Sequence, residues 1–221
     1  MINRLINLLK YPLGIISLLF IFELIRIFFN IMHEFISHFD QYQNFFIGIG
    51  LYFVLWFILF PKKFLHWFSI LEHELAHTIF ALLTFHKIHG VCALNRYGGF
   101  MIYGGGKGNW LINLAPYFFS TFGFVTIGLI HLSNPRYYPF LVGLLGYVFF
   151  HHIHNTFKTA RPYQSDLKKS GLLFSYVFLP SANLLMLILL LTQVPNDQID
   201  FQNVLGYLYD LSDYYITQLA R

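Results

Sequence analysis

The residues best suited to chemistry lie at positions 73–77, which read His-Glu-Leu-Ala-His. Residues four apart lie on one face of an α-helix, so the imidazoles of His73 and His77 can bind the same metal ion. Glu74 lies one position further round the helix, where its carboxylate can take a proton from a water on that ion. Zinc suits two imidazoles, one further protein ligand and a water. The spacing therefore predicts one Zn²⁺ per chain, with Glu74 as the general base.

The third protein ligand has two candidate sources. Asp166 lies in a polar segment, and the sequence His-His-Ile-His-Asn occupies positions 151–155. Two imidazoles with one oxygen ligand and a water form a hydrolytic zinc site, which favours Asp166 over a histidine of 151–154. In that case His151, His154 and Asn155 are expected to support the ligands or to carry protons.

The composition excludes several classes of protein. Hydrophobic residues make up 57% of the 221 positions and charged residues only 11%. A soluble domain carries about 25% charged residues, so an ordinary soluble globule, a disordered chain and a nucleic-acid binder are all excluded. A charge at the centre of a membrane helix costs roughly 2.5–3.5 kcal/mol. Binding a divalent cation offsets that cost, which favours a metal site over unliganded histidines.

Six segments are apolar and about as long as a bilayer crossing, which needs about 20 residues. They are residues 11–31, 44–60, 65–85, 110–131, 138–157 and 171–192. Six alternating crossings would put Arg4 and Lys10 on the opposite side from Lys158 and Lys169. The positive-inside rule then gives no orientation, because the basic residues divide almost evenly.

Three further segments differ from this pattern. Residues 97–105 place four apolar residues between glycine pairs, which favours a short strand or hairpin, or a re-entrant segment, after the motif helix. Residues 158–170 read as a basic loop, and residues 199–219 have the apolar spacing of an amphipathic helix. The predicted fold is an all-α, multi-pass integral membrane protein with one domain, 1–221. Its metalloprotease-like core is 65–192, and 193–221 forms an amphipathic tail.

The motif in an apolar helix, the glycine-flanked strand after it and a later Asp together resemble the site-2 protease family of intramembrane zinc metalloproteases. The resemblance runs from about His66 to about Pro180. It implies that His73, His77 and Asp166 hold zinc and that Glu74 activates water. The asparagine and proline element of the family is nearest to Asn-Leu-Ala-Pro at 113–116, whereas its Leu-Asp-Gly sequence is absent here.

The resemblance also implies the substrate and how it binds. The expected partners are a membrane-protein substrate, cut in a membrane-spanning or membrane-proximal segment, and the lipid bilayer, with no nucleic acid. A helical substrate must unwind before it is cut, and an exposed strand can capture it by β-augmentation. The candidate substrate-binding residues are Phe100, Met101, Ile102, Tyr103 and Asn113.

Two other functions fit the same residues. Imidazole also binds iron, so three histidine boxes could form a membrane di-iron oxygenase or desaturase. The histidines of those boxes are His33, His38, His73, His77, His151, His152 and His154. The chain could also be an inactive metal-binding scaffold, although a pure ligand site has no use for Glu74 as a base.

Overall fold

The computed structural model describes residues 2–56, 62–94, 98–106 and 108–194, and these residues are mostly helical, as predicted. The elements are α1 (Ile2–Ser37), α2 (Phe39–Val54), α3 (Lys62–Leu83), β1 (Lys87–Leu94), β2 (Gly98–Gly104), α4 (Trp110–Leu114), α5 (Thr121–Leu132), α6 (Tyr138–Thr159), α7 (Ser165–Ser170) and α8 (Leu172–Leu191). Short 3₁₀ turns occupy Ala115–Tyr117 and Pro135–Tyr137. The predicted helix at 199–219 and the end of the second apolar segment, 57–60, lie outside the described residues.

Two helices in the described part of the chain, α1 and α8, are long and apolar enough to cross a membrane. The predicted crossing at 110–131 is not one straight helix, because α4 and its 3₁₀ turn meet α5 at 74°. Pro116 has no N–H with which to continue α4. Ser120 then starts α5 by accepting a hydrogen bond from the backbone N–H of Gly123, at 3.2 Å. Six crossings are therefore not confirmed.

Helices α1 and α8 pack side by side and run in the same direction. The ammonium of Lys10 lies 5.2 Å from the ring centre of Phe174, and Gly14 packs against the same ring. Further along both helices, the hydroxyl of Ser181 donates to the carbonyl of Ser17 at 2.8 Å. Six alternating crossings would make the first and last helices antiparallel. The predicted separation of the basic residues is therefore wrong, because Lys10 lies beside the start of α8.

Helices α2 and α6 pack with their backbones in direct contact at two glycines. A Cβ placed on Gly48 would overlap the carbonyl oxygen of Gly143, and one placed on Gly146 would overlap that of Phe45. Small residues let helix backbones approach this closely. Aromatic rings pack nearby, with the Phe45 and Phe149 ring centres 5.3 Å apart. This contact fixes α6, whose last turns line the site described below.

The predicted hairpin is present. Strands β1 and β2 pair antiparallel, with Val91 opposite Met101 and Cys92 opposite Phe100. Strand β1 was not predicted, because Lys87–Leu94 has no clear alternation of apolar and polar residues. The hairpin packs on α3, where the indole N–H of Trp67 donates to the carbonyl of Ala93 at 3.1 Å.

The predicted basic loop at 158–170 contains a short helix, α7. Its Leu167 is fully buried against a cluster that includes Trp110, Leu114, Tyr117 and Leu179. This one apolar side chain anchors α7 between α4 and α8. The anchor also fixes the position of the neighbouring residue, Asp166.

Candidate metal centre

Two imidazoles and one carboxylate converge in the structure. The Nε2 atoms of His73 and His77 lie 3.8 Å and 3.5 Å from Oδ2 of Asp166. The three candidate ligand atoms lie within 4.8 Å of one another. Tetrahedral zinc, with bonds of about 2.0–2.2 Å, holds its ligand atoms about 3.3 Å apart. The cluster can therefore bind a metal ion of this size, and its donor set fits zinc.

His77 is held in the orientation that a metal ligand needs. Its Nδ1–H donates to the carbonyl of Ile112 at 2.7 Å, which leaves Nε2 directed at Asp166. In a continuous helix the carbonyl of Ile112 would accept from the N–H four residues later, but that residue is Pro116. The N–H of Ala115 bonds to Leu111 instead. Pro116 thus frees the carbonyl that orients His77, a support typical of metal-binding histidines.

Asp166 is held by its neighbours and is ionised. The hydroxyl of the buried Tyr117 donates to Oδ2 at 3.4 Å, and the hydroxyl of Ser165 donates to Oδ1 at the same distance. Burial raises the pKa of the Asp166 carboxyl, but the imidazoles of His73 and His77 lower that pKa by more. The net pKa is well below its usual range, so Asp166 offers a carboxylate at neutral pH.

Glu74 is buried next to the two histidines and touches strand β2. A Cβ on Gly99 would lie 2.5 Å from both Cγ and Oε1 of Glu74, and 2.7 Å from Cγ2 of Ile70. Only a glycine allows the strand this close to the carboxylate. The backbone of β2 therefore passes directly beside the predicted general base.

A cavity of about 460 Å³ joins these groups, and His73, Glu74, His77 and Asp166 all line it. Four of the predicted substrate-binding residues also line it: Phe100, Met101, Tyr103 and Asn113. Ile102 does not, and its side chain is half exposed. Its side chain points to the opposite face of the strand from those of Met101 and Tyr103. Within the described residues β2 pairs only with β1, so its other edge has no strand partner.

The histidines near position 151 bind other partners. Nε2 of His151 lies 3.0 Å from Oε2 of Glu72, and both residues are buried. His154 hydrogen-bonds to the hydroxyl of Tyr52. The side chains of His151 and His154 bond to Glu72 and Tyr52 and do not line the cavity, so their support of the ligands or their part in proton transfer stays a prediction. Asn155 does line the cavity.

The seven histidines of the di-iron hypothesis do not converge. His33 lies near Ser37 and His38 pairs with Glu34, each within one helical turn. His152 bonds to Asn183 at 3.1 Å. Among the described residues, the group able to hold a metal contains two of these histidines, together with Asp166.

Several residues of the site were missed from the sequence. Tyr117 and the carbonyl of Ile112 support the ligands, while Lys158 and Lys169 line the cavity. The only local signal for Tyr117 is its position directly after Pro116. Comparison of the chain with protein-family models, with curated proteins and with solved structures found no match. The geometry of the side chains is therefore the basis for assigning a function.

Proposed function

We propose that this chain is a multi-pass membrane zinc metallopeptidase that cleaves polypeptides in membrane-spanning or membrane-proximal segments. The observation that carries the proposal is the convergence of His73 and His77 on one oxygen of Asp166. Two imidazoles and a carboxylate are a ligand set of zinc peptidases. Glu74 lines the same cavity. Because it is not one of the three candidate ligands, its carboxylate is available for proton transfer.

The chain supplies the proton transfers and the positioning. Zinc held by His73, His77 and Asp166 would supply a water with a pKa of about 7 and a positive charge for the scissile carbonyl. Glu74 accepts a proton from the attacking water and later donates it to the nitrogen of the leaving amine. The hydrogen bonds from His77 to Ile112 and from Tyr117 to Asp166 hold the ligand side chains in place before substrate arrives.

The open edge of β2 provides a place for an extended substrate. A peptide added to this edge makes backbone hydrogen bonds, which demand little of its sequence. Gly99 brings the backbone of β2 against Glu74. A substrate strand bound there would present its peptide bonds to the general base and to the three ligands.

The arrangement of α1 and α8 supports a multi-pass chain. If both helices cross the bilayer in the same direction, an odd number of crossings must lie between them to return the chain. The basic residues collect where both helices start, because α6 ends there and α7 precedes α8. These residues are Arg4, Lys10, Lys158, Arg161, Lys168 and Lys169. Because six of the 14 Lys and Arg residues belong to these segments, we propose by the positive-inside rule that this end faces the cytoplasm.

Metal content and one substitution test the proposal. The purified protein is expected to hold one zinc per chain by elemental analysis, and two irons per chain would favour a di-iron enzyme instead. The variant Glu74→Gln should keep its zinc but lose cleavage of labelled casein, an unfolded probe substrate. Cleavage at the wild-type rate by Glu74→Gln would contradict the mechanism.

A pair of variants tests the third ligand. Asp166→Ala removes a ligand and should lose zinc, because two imidazoles alone leave the ion poorly held. His154→Ala is the matched control, since His154 bonds to Tyr52, and this variant should keep its zinc. The opposite result would move the third ligand into the histidine cluster.

A further inference from the structure

The cavity beside the candidate metal centre has two unlike walls. The wall formed by α3 and β2 contains the two histidines, Glu74 and residues of strand β2. The opposite wall is formed by the end of α6 and by α7. Besides the candidate ligand Asp166, all of its lining side chains are polar. Its side chains are Asn155, Lys158, Thr159, Gln164, Ser165 and Lys169. A substrate lying along β2 would therefore face a wall that carries two ammonium groups.

The charges in the cavity do not balance once a divalent ion is bound. Glu74 and Asp166 are the carboxylates among the described lining residues, and a divalent ion compensates both. Lys158 and Lys169 then remain as a net charge of about +2 on the lining of the cavity.

The two lysines are available to a ligand. The ammonium of Lys169 is 4.0 Å from Oδ1 of Asp166, and two thirds of its side chain is exposed. The ammonium of Lys158 lies 5.4 Å from the ring centre of Trp56, and this contact involves no carboxylate. The side chain of Lys158 is exposed.

We propose that the wall formed by α6 and α7 binds a carboxylate of the substrate polypeptide, with Lys158 and Lys169 as the determinants of specificity. This inference rests on the proposed peptidase function and names the class of substrate. The carboxylate belongs to an acidic side chain near the scissile bond or to a free C-terminus. The strand edge on the opposite wall favours a polypeptide over the phosphate of a lipid.

Peptide binding to the Glu74→Gln protein tests the inference without requiring turnover. Three ten-residue peptides of Ala, Val and Leu carry an uncharged fluorophore. Each of the two acidic peptides differs from the neutral one in a single group. The first has a central Asp and an amidated C-terminus, the second a central Asn and an amidated C-terminus, and the third a central Asn and a free C-terminus. An exposed ion pair changes a binding constant by roughly two- to fivefold, so the preferred acidic peptide should bind about fivefold tighter than the neutral one.

The variants identify the residues responsible. Replacing both lysines, Lys158→Gln with Lys169→Gln, should remove the preference, and raising the salt from about 50 mM to about 500 mM should weaken it. Lys168→Gln is the matched control, because Lys168 is exposed on the same short helix but does not line the cavity. Which acidic peptide is preferred distinguishes a side-chain carboxylate from a C-terminal one.

The possible outcomes separate the two proposals. Equal binding of the three peptides, or a preference that survives loss of both lysines, overturns the carboxylate site. Loss of phosphatidylglycerol binding in the lysine variants, with the peptide preference unchanged, also overturns it and assigns the wall to lipid. Preferential binding without cleavage by the wild-type, zinc-loaded protein contradicts the peptidase and leaves the carboxylate site standing. Cleavage of all three peptides at equal rates, together with equal binding, supports the peptidase and overturns the carboxylate site.

Discussion

Replacing Gly99 by alanine tests whether the contact between β2 and Glu74 serves catalysis. The new methyl group would lie 2.5 Å from Cγ and Oε1 of Glu74 and 2.7 Å from Cγ2 of Ile70. Non-bonded carbon atoms settle at about 3.5–4.0 Å. Either the carboxylate or the strand must therefore move by about 1 Å.

The displacement should fall on the general base rather than on the fold. The atoms in the way belong to side chains, and that of Glu74 can rotate aside without unfolding α3. A 1 Å misplacement of a reacting group can lower a rate by about 100-fold, which corresponds to about 2.7 kcal/mol of activation free energy. The proposed metal ligands His73, His77 and Asp166 are not in this contact, so the zinc content should stay at the wild-type level.

The assay measures kcat on labelled casein together with zinc stoichiometry and thermal stability. Gly90→Ala is the matched control, because Gly90 lies on the partner strand and a Cβ there meets no atom of the described residues within 4 Å. That variant should keep wild-type activity. A Gly99→Ala protein that folds, binds zinc and cleaves within about threefold of wild type would refute the reasoning.

Three further substitutions have expected outcomes. Pro116→Ala restores an N–H that competes with His77 for the carbonyl of Ile112, so metal affinity should fall about tenfold in a metal-competition titration. His151→Leu leaves the buried carboxylate of Glu72 unpaired and should lower the free energy of unfolding by about 3 kcal/mol in chemical denaturation. Gly48→Ala forces α2 away from α6 and should cost about 2 kcal/mol in the same measurement.

The controls for these variants come from the same elements. Gly50→Ala lies on α2, where a Cβ meets no described atom within 4 Å, and should be about 1 kcal/mol more stable than the wild type, because alanine favours a helix more than glycine does. Replacing both Glu72 and His151 with leucine should recover most of the stability lost by His151→Leu, because no buried charge is then left unpaired. Unchanged metal affinity in Pro116→Ala would show that the freed carbonyl does not orient His77.

The sequence predicted the parts of the site that depend on local geometry. His73, Glu74 and His77 share one helical segment, so their spacing alone places them together. Asp166 was selected by its chemistry, because a carboxylate completes a hydrolytic zinc site. Its actual position depends on the burial of Leu167 in a cluster built from three other helices, which no local pattern reveals.

The features that the sequence did not predict also have physical causes. Apolar length alone does not show that Pro116 breaks the segment 110–131 or that α1 and α8 run parallel. His151 looked like a residue of the metal site because histidines cluster near it in sequence. In the structure it pairs with Glu72, 79 positions away. Such pairings depend on how α3 and α6 dock.

The distribution of the ligands along the chain has a consequence for biosynthesis. Asp166 follows His77 by about 90 residues, and the short helix that carries it must dock before its carboxylate meets the two imidazoles. A nascent chain that has not reached residue 166 lacks a complete set of ligands. If the chain is the proposed peptidase, its activity would therefore begin only after residue 166 is synthesised and α7 has docked, and metal binding would mark its maturation.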